Sequence, residues 1–305
     1  MEEVVVIVGA GPSGLATSAC LNLLSIPNLI LERENCYASL WKNRAYDRLK
    51  LHLAKQFCHL PHMPHPPSAP KFIPRLDFIR YIDDYVSTFN IKPSYNRSVE
   101  SAIYDGLDKK WRIEVNNTVT GENELYMAKF LVIATGENSK EFIPQIPGLE
   151  SFGGKIVHSS QYKSGAEFKQ KKVLVVGCGN SGMEIAYDLS NFGACTSIVV
   201  RSPVLPEVSR IEKNYVAFNN DEIHQFDSII FATGYRSTAN NWLKDHDSLL
   251  GKNGMPKNRF PNHWKGANGL YCAGLSRRGL AGVSMDAEAI ANDIKFILTG
   301  DLQET

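Results

Sequence analysis

The chain has 305 residues, enough for one large or two ordinary domains, with the 43% hydrophobic and 21% charged residues of a globular protein. A formal charge of +1 gives no footing for nucleic acid or an anionic membrane. No apolar run approaches the ~18 residues that span a bilayer, and six scattered cysteines without any C-x-x-C argue against a dithiol redox centre.

Residues 4–9 read as a strand, 13–24 as a helix and 28–33 as a second strand. Entry into the first strand at Val4 leaves no room for a leader, so a reducing, cytoplasmic location is expected. The turn between strand and helix carries Gly9, Ala10, Gly11, Pro12, Ser13 and Gly14. A glycine triplet between a β-branched run and a helix is a dinucleotide-binding pattern. Its first glycine permits the tight turn, the second admits a pyrophosphate to the backbone, and the third lets helix pack on strand. The phosphate then meets helix N–H groups that have no partner within the helix. Glu32, at the end of the second strand, is placed to accept hydrogen bonds from ribose hydroxyls.

Residues 35–75 are irregular and rich in proline, which prevents regular helix or central strand. Cys58, His59, His62 and His65 sit close together there, but ligands one turn apart need a helix that the prolines forbid, so no metal is expected. Residues 77–89 have helical spacing, and WRIEVNN followed by ENELYMAKFLVIATG reads as strand–turn–strand. A second glycine turn then appears, with Gly177, Cys178, Gly179, Asn180, Ser181 and Gly182 between KVLVV and a helix-like stretch. Arg201 follows the next strand and is placed to pair with a 2′-phosphate. HQFDSIIFATGY (224–235) and GLYCAGL (269–275) are further buried strands, and MDAEAIANDIKFIL is a final amphipathic helix. Arg277 and Arg278 suit either a substrate carboxylate or a solvated surface.

The simplest architecture is α/β with two Rossmann-like domains, one inserted in the other. A flavin domain covers 1–150 and 231–305, and a nicotinamide domain covers 151–230. The turns Ala134-Thr135-Gly136 and Ala232-Thr233-Gly234 would mark the two crossings.

Between the glycine turns, FGGKIVHSSQY fits F-x-G-x-x-x-H-x-x-x-Y at Phe152, Gly154, His158 and Tyr162. With GAGPSGLA, SLWKNRAYDRLKLHLAKQFCHLP, ATGENS, GCGNSGMEIA, FATGYRS and GLSRRGLAG, the chain resembles the class B flavin monooxygenases, and among them the plant YUCCA family. A Baeyer–Villiger enzyme would end the fingerprint with Trp rather than Tyr162. The resemblance implies FAD at Gly9 to Gly14 and Glu32, and NADPH at Gly177 to Gly182 and Arg201. It implies oxidative decarboxylation of indole-3-pyruvate to the auxin indole-3-acetate, with O₂, through a C4a-(hydro)peroxyflavin. His158 is expected to organise the linker between domains, and no acid–base residue is named. An enzyme oxygenating sulfur or nitrogen is the alternative. Another is a truncated FAD-binding protein with little turnover, because only 29 residues separate Arg201 from Phe231, and YUCCA-like chains carry a longer, largely helical segment there. That shortening leaves few elements to cover the second sheet. Oligomeric state is not legible.

Overall fold

The computed structural model describes residues 1–200 and 207–301. In chain order the first elements are β1 (Glu2–Val8), α1 (Pro12–Leu23), β2 (Asn28–Leu31), α2 (Arg75–Thr88), β3 (Arg97–Asp105), β4 (Lys110–Asn117) and β5 (Asn123–Ile133). Then come β6 (Lys140–Glu141), β7 (Lys155–His158), β8 (Lys172–Val176), α3 (Asn180–Asn191) and β9 (Cys195–Val199). Strands β10 (Val208–Glu212), β11 (Tyr215–Phe218), β12 (Ile223–Gln225), β13 (Ser228–Phe231) and β14 (Tyr235–Arg236) follow. The chain closes with α4 (Ala239–Trp242), β15 (Leu270–Cys272) and α5 (Gly279–Asp301).

The described chain divides into two compact units. The first comprises 1–42, 53–140 and 236–305, and the second 43–52 and 141–235. Against the boundaries read from sequence, at 150 and 231, the divisions fall just after each Ala-Thr-Gly turn. The segment 43–52 also joins the second unit.

In the first unit a six-stranded sheet runs β2-β1-β5-β4-β3, with β15 parallel to the end of β5. Parallel pairing of β2, β1 and β5 follows from β-branched strands such as VVVIV, whose Val5, Val6 and Ile7 are wholly buried. Strands β3 to β5 are antiparallel and alternate buried and exposed positions, most regularly in β4. Trp111, Ile113 and Val115 on β4 pack with Leu131, Ile133 and Leu270 in one core.

The second unit is built on a four-stranded parallel sheet of order β7-β13-β8-β9. Against one face α3 brings Ile185, Ala186 and Leu189, which pack with Val173, Val175 and Ile230. Against Leu174, Ile229 and Phe231, on the other face, pack Ile211 and Val216 from the antiparallel ribbon β10-β11-β12, with Phe226 just after it. This corrects the expectation that few elements remain to cover the second sheet: the ribbon supplies a cover. Among the described residues the cover is partial, with a groove of about 410 Å³ along β9 and the ribbon. Strand β9 is an edge strand, and four of its five residues are at least partly exposed.

Candidate functional site

At the end of β1 the Gly9 N–H donates to Leu31 O (2.8 Å) and the chain turns sharply with φ +107° at Gly9. A Cβ on Gly9 would lie 2.7 Å from Ala134 O, and one on Gly14 would lie 1.9 Å from Gly9 O. Both positions therefore require glycine, one for its backbone angle and close approach, the other so that α1 can seat on the turn. Gly11 is different. Its φ of −75° suits any residue, and nothing lies within 4 Å of where its Cβ would point.

That open space faces the start of α1, whose N-cap is Gly11 itself. Pro12 opens the helix, no side chain caps it and no acid occupies its first turn. The helix amides are thus left to an anion. Ala10 is wholly buried and Ser13 almost so.

Glu32 follows β2, is 7% exposed and accepts hydrogen bonds from Ala10 N (2.6 Å) and Glu34 N (3.0 Å). Burial pushes its carboxyl above the usual range, and those two N–H groups oppose the shift. Each oxygen retains a lone pair for a sugar hydroxyl.

The second turn repeats this geometry. Gly177 N donates to Val199 O (2.9 Å), and its φ is +110°. A Cβ on Gly177 would meet Ala232 O at 2.5 Å, one on Gly182 would meet Gly177 O at 2.0 Å, and Gly179 again has open space. Gly179 is the N-cap of α3, with no side-chain cap. Cys178 and Asn180 are exposed and Ser181 half-buried beside it. Because Leu31 and Val199 occupy matching positions, Val200 stands where Glu32 stands in the first turn. An acid there would repel a 2′-phosphate, and a neutral residue does not. Arg201, the next residue, lies outside the described residues.

The two Ala-Thr-Gly turns are not only connectors. Ala134 N donates to Val8 O (2.9 Å) and Ala232 N to Val176 O (2.8 Å). The methyl groups of these alanines lie 3.4 Å from the Cβ positions of Gly14 and Gly182. Each glycine turn is therefore backed by its own Ala-Thr-Gly turn.

The fingerprint residues each hold part of the second unit. Phe152 joins the core under the ribbon, and a Cβ on Gly154 would sit 2.3 Å from Asp227 O. His158 is 1% exposed. Its Nε2 lies 3.0 Å from Gly234 O, while Nδ1 accepts from Ser160 N (3.3 Å). Burial lowers its pKa, so it stays neutral and donates to the backbone of the Ala-Thr-Gly turn. Tyr162 donates to Asp188 on α3 (2.6 Å). Asp188 also accepts from Gly165 N and pairs with Arg48 (3.3 Å).

Sequence reading missed the segment 43–52. Besides Arg48, it places Tyr46, which donates to Glu184 on α3 (2.5 Å), and Lys163 binds the carbonyls of Asn43 and Ala45. The segment is thereby fastened along the helix that the second turn opens.

Arg277 lies 3.8 Å from Glu137, whose carboxyl is raised by burial against that cation, and Arg278 stacks over Phe260. His65 contacts Cys58 O and His62 lies near Cys20, so the histidines of the proline-rich stretch face separate partners. Among the described residues no three metal-ligating side chains cluster, and no helix is long and apolar enough to cross a membrane.

Comparison with known proteins places these features. A family model described as pyridine nucleotide-disulphide oxidoreductase matches residues 6–213. The Arabidopsis thaliana protein named probable indole-3-pyruvate monooxygenase YUCCA10 is 45% identical, with 98% of both chains covered. Indole-3-pyruvate monooxygenase YUCCA6, also from Arabidopsis thaliana, is 38% identical over 95% of this chain and 89% of its own. Among solved structures, a flavin-containing monooxygenase from Stenotrophomonas maltophilia superposes with a TM-score of 0.83 at 21% identity, covering 97% of this chain and 99% of that one. A bacillithiol disulfide reductase from Bacillus cereus gives 0.81 at 20% identity, covering 97% and 100%. The YUCCA10 alignment runs over 377 positions while this chain has 305 residues. Roughly seventy or more aligned positions therefore face no residue of this chain.

Proposed function

The chain belongs to the plant YUCCA-type flavin monooxygenases, a branch of the pyridine nucleotide-disulphide oxidoreductases, and is an FAD- and NADPH-dependent enzyme; we propose that its substrate is indole-3-pyruvate, oxidatively decarboxylated to indole-3-acetate. The observation that carries this reading is likeness along nearly the whole chain to relatives named for that keto acid. Two glycine turns of matching geometry in a chain without C-x-x-C support a flavin–nicotinamide enzyme that needs no thiol relay.

The first turn would hold the FAD pyrophosphate on the open amides of α1, with Glu32 on the ribose. Gly177 to Gly182 would hold the pyrophosphate of NADPH at the start of α3, with Arg201 on the 2′-phosphate. Bound flavin supplies hydride acceptance and oxygen activation. The protein's part is to orient the rings and exclude water, so no residue of this chain is assigned a proton transfer. Six cysteines that form no disulfide with one another, three of them buried, suit a reducing compartment such as the cytoplasm.

Purified yellow protein given NADPH, O₂ and indole-3-pyruvate should form indole-3-acetate, identified by chromatography. NADPH consumption without that product, or preferential turnover of a thioether, would instead favour a sulfur- or nitrogen-oxygenating enzyme.

Arg201→Ala should weaken NADPH about ten- to a hundredfold, because a charge-assisted hydrogen bond contributes roughly 1.5–3 kcal/mol. NADH lacks the 2′-phosphate and should be nearly unaffected. Equal losses for the two in parallel titrations would remove Arg201 from the site.

A further inference from the structure

We propose that His263 and Asp286 form a buried positioning pair that fixes the FAD-binding turn from behind. The proposal rests on the assignment of Gly9 to Gly14 to FAD. Asp286 is on α5 and 1% exposed; His263 lies in the loop before β15 and is 2% exposed. Asp286 Oδ1 is 2.9 Å from His263 Nε2, and Oδ2 accepts the Gly274 N–H at 2.9 Å. The Nε2 contact is close but lies off the line of an aligned hydrogen bond. Nδ1 has no hydrogen-bond partner among the described residues.

Gly274 transmits the effect. It has φ +77°, and a Cβ there would lie 2.0 Å from Ser13 Oγ, in the first turn of α1. Ala273, just before it, donates to Ile133 O beside the first Ala-Thr-Gly turn. The carboxylate thus fixes a backbone amide whose residue presses on the start of the helix offered to the flavin pyrophosphate. Burial raises the Asp286 carboxyl, while the Gly274 N–H and His263 oppose the shift. A buried polar pair gains little stability over well-packed apolar side chains, and losing one partner leaves the other uncompensated. The pair's consequence is orientation. Without His263 the carboxylate keeps only the Gly274 N–H and draws in water or a proton, and Gly274 loses its fixed seat against Ser13. Both residues act through Gly274, so both are positioning residues.

The test compares FAD release from wild type, His263→Leu, His263→Gln and Asp286→Asn holoenzymes, read as flavin fluorescence on dilution. NADPH affinity and melting temperature are measured beside it. His263→Leu should release FAD roughly tenfold faster, because Asp286 is left buried without its partner. His263→Gln retains a donor and should recover part of that loss, as should Asp286→Asn, which keeps an acceptor for Gly274. NADPH affinity should not move. If His263→Leu fails to fold, the glutamine and asparagine variants carry the comparison. FAD release within twofold of wild type in every folded variant, even with a lowered melting temperature, would overturn the proposal. A Gly11→Val control that still holds flavin would show instead that the assignment of the first turn is wrong.

Discussion

Valine at position 11 should give a folded but colourless protein. Backbone angles at Gly11 are those of an ordinary extended residue, and no atom lies within 4 Å of the direction its side chain would take. The substitution therefore brings no strain and fills only the space that the proposed FAD site leaves for a pyrophosphate at the amides of α1. Gly9 and Gly14 would be poor targets, since a side chain at either collides with backbone and would confound folding with binding. The check is flavin absorbance per mole of purified protein beside a circular dichroism spectrum. Stoichiometric flavin in a folded Gly11→Val protein would sink the FAD assignment.

Restoring the segment that this chain lacks should speed flavin reduction by NADPH roughly ten- to a hundredfold, the cost of a nicotinamide misplaced by about an ångström. The alignment is longer than the chain, and we propose that the missing positions fall in the second unit. Its ribbon covers part of one sheet face. A groove remains beside edge strand β9, lined by Leu174, Ile198, Val199, Phe218 and Phe226, with Ile198 40% exposed. Apolar surface left open to water destabilises the unit, and local opening there competes with a held cofactor. Anaerobic stopped-flow at the flavin band would compare this chain with a variant carrying the segment of a full-length relative. Equal rates would mean that the short unit is already complete enough for hydride transfer.

Both nucleotide turns were legible in the sequence because glycine spacing and β-branched strands act locally. The same holds for β1, α1, β2 and α2, whose limits moved by only a few residues. The ribbon β10-β11-β12 was not legible. Strands such as Val208–Glu212 bury one residue in five, so their pattern resembles a solvated loop. Strand β7 was hidden inside the fingerprint, where Lys155–His158 was read for its motif. The role of Ala134 and Ala232 behind the glycine turns is set by packing between segments far apart in the chain. Helix α5 begins at Gly279, earlier than the stretch MDAEAIANDIKFIL read from sequence, because Gly279 and Gly282 are poor helix formers. Long-range partners left no sequence signal at all: Tyr46 and Glu184, or Arg48 and Asp188, are separated by more than a hundred residues. His263 and Asp286 meet only because β15 and α5 bring them together.

If each glycine turn serves one nucleotide, Gly179→Val should separate NADPH from FAD. Like Gly11, Gly179 has extended backbone and open space at its Cβ, so valine there should leave the fold intact. The purified variant should remain yellow with full flavin content, while anaerobic NADPH fails to bleach that flavin at any concentration that saturates wild type. Loss of FAD from the variant, or bleaching at the wild-type rate, would contradict the division of the two turns between FAD and NADPH.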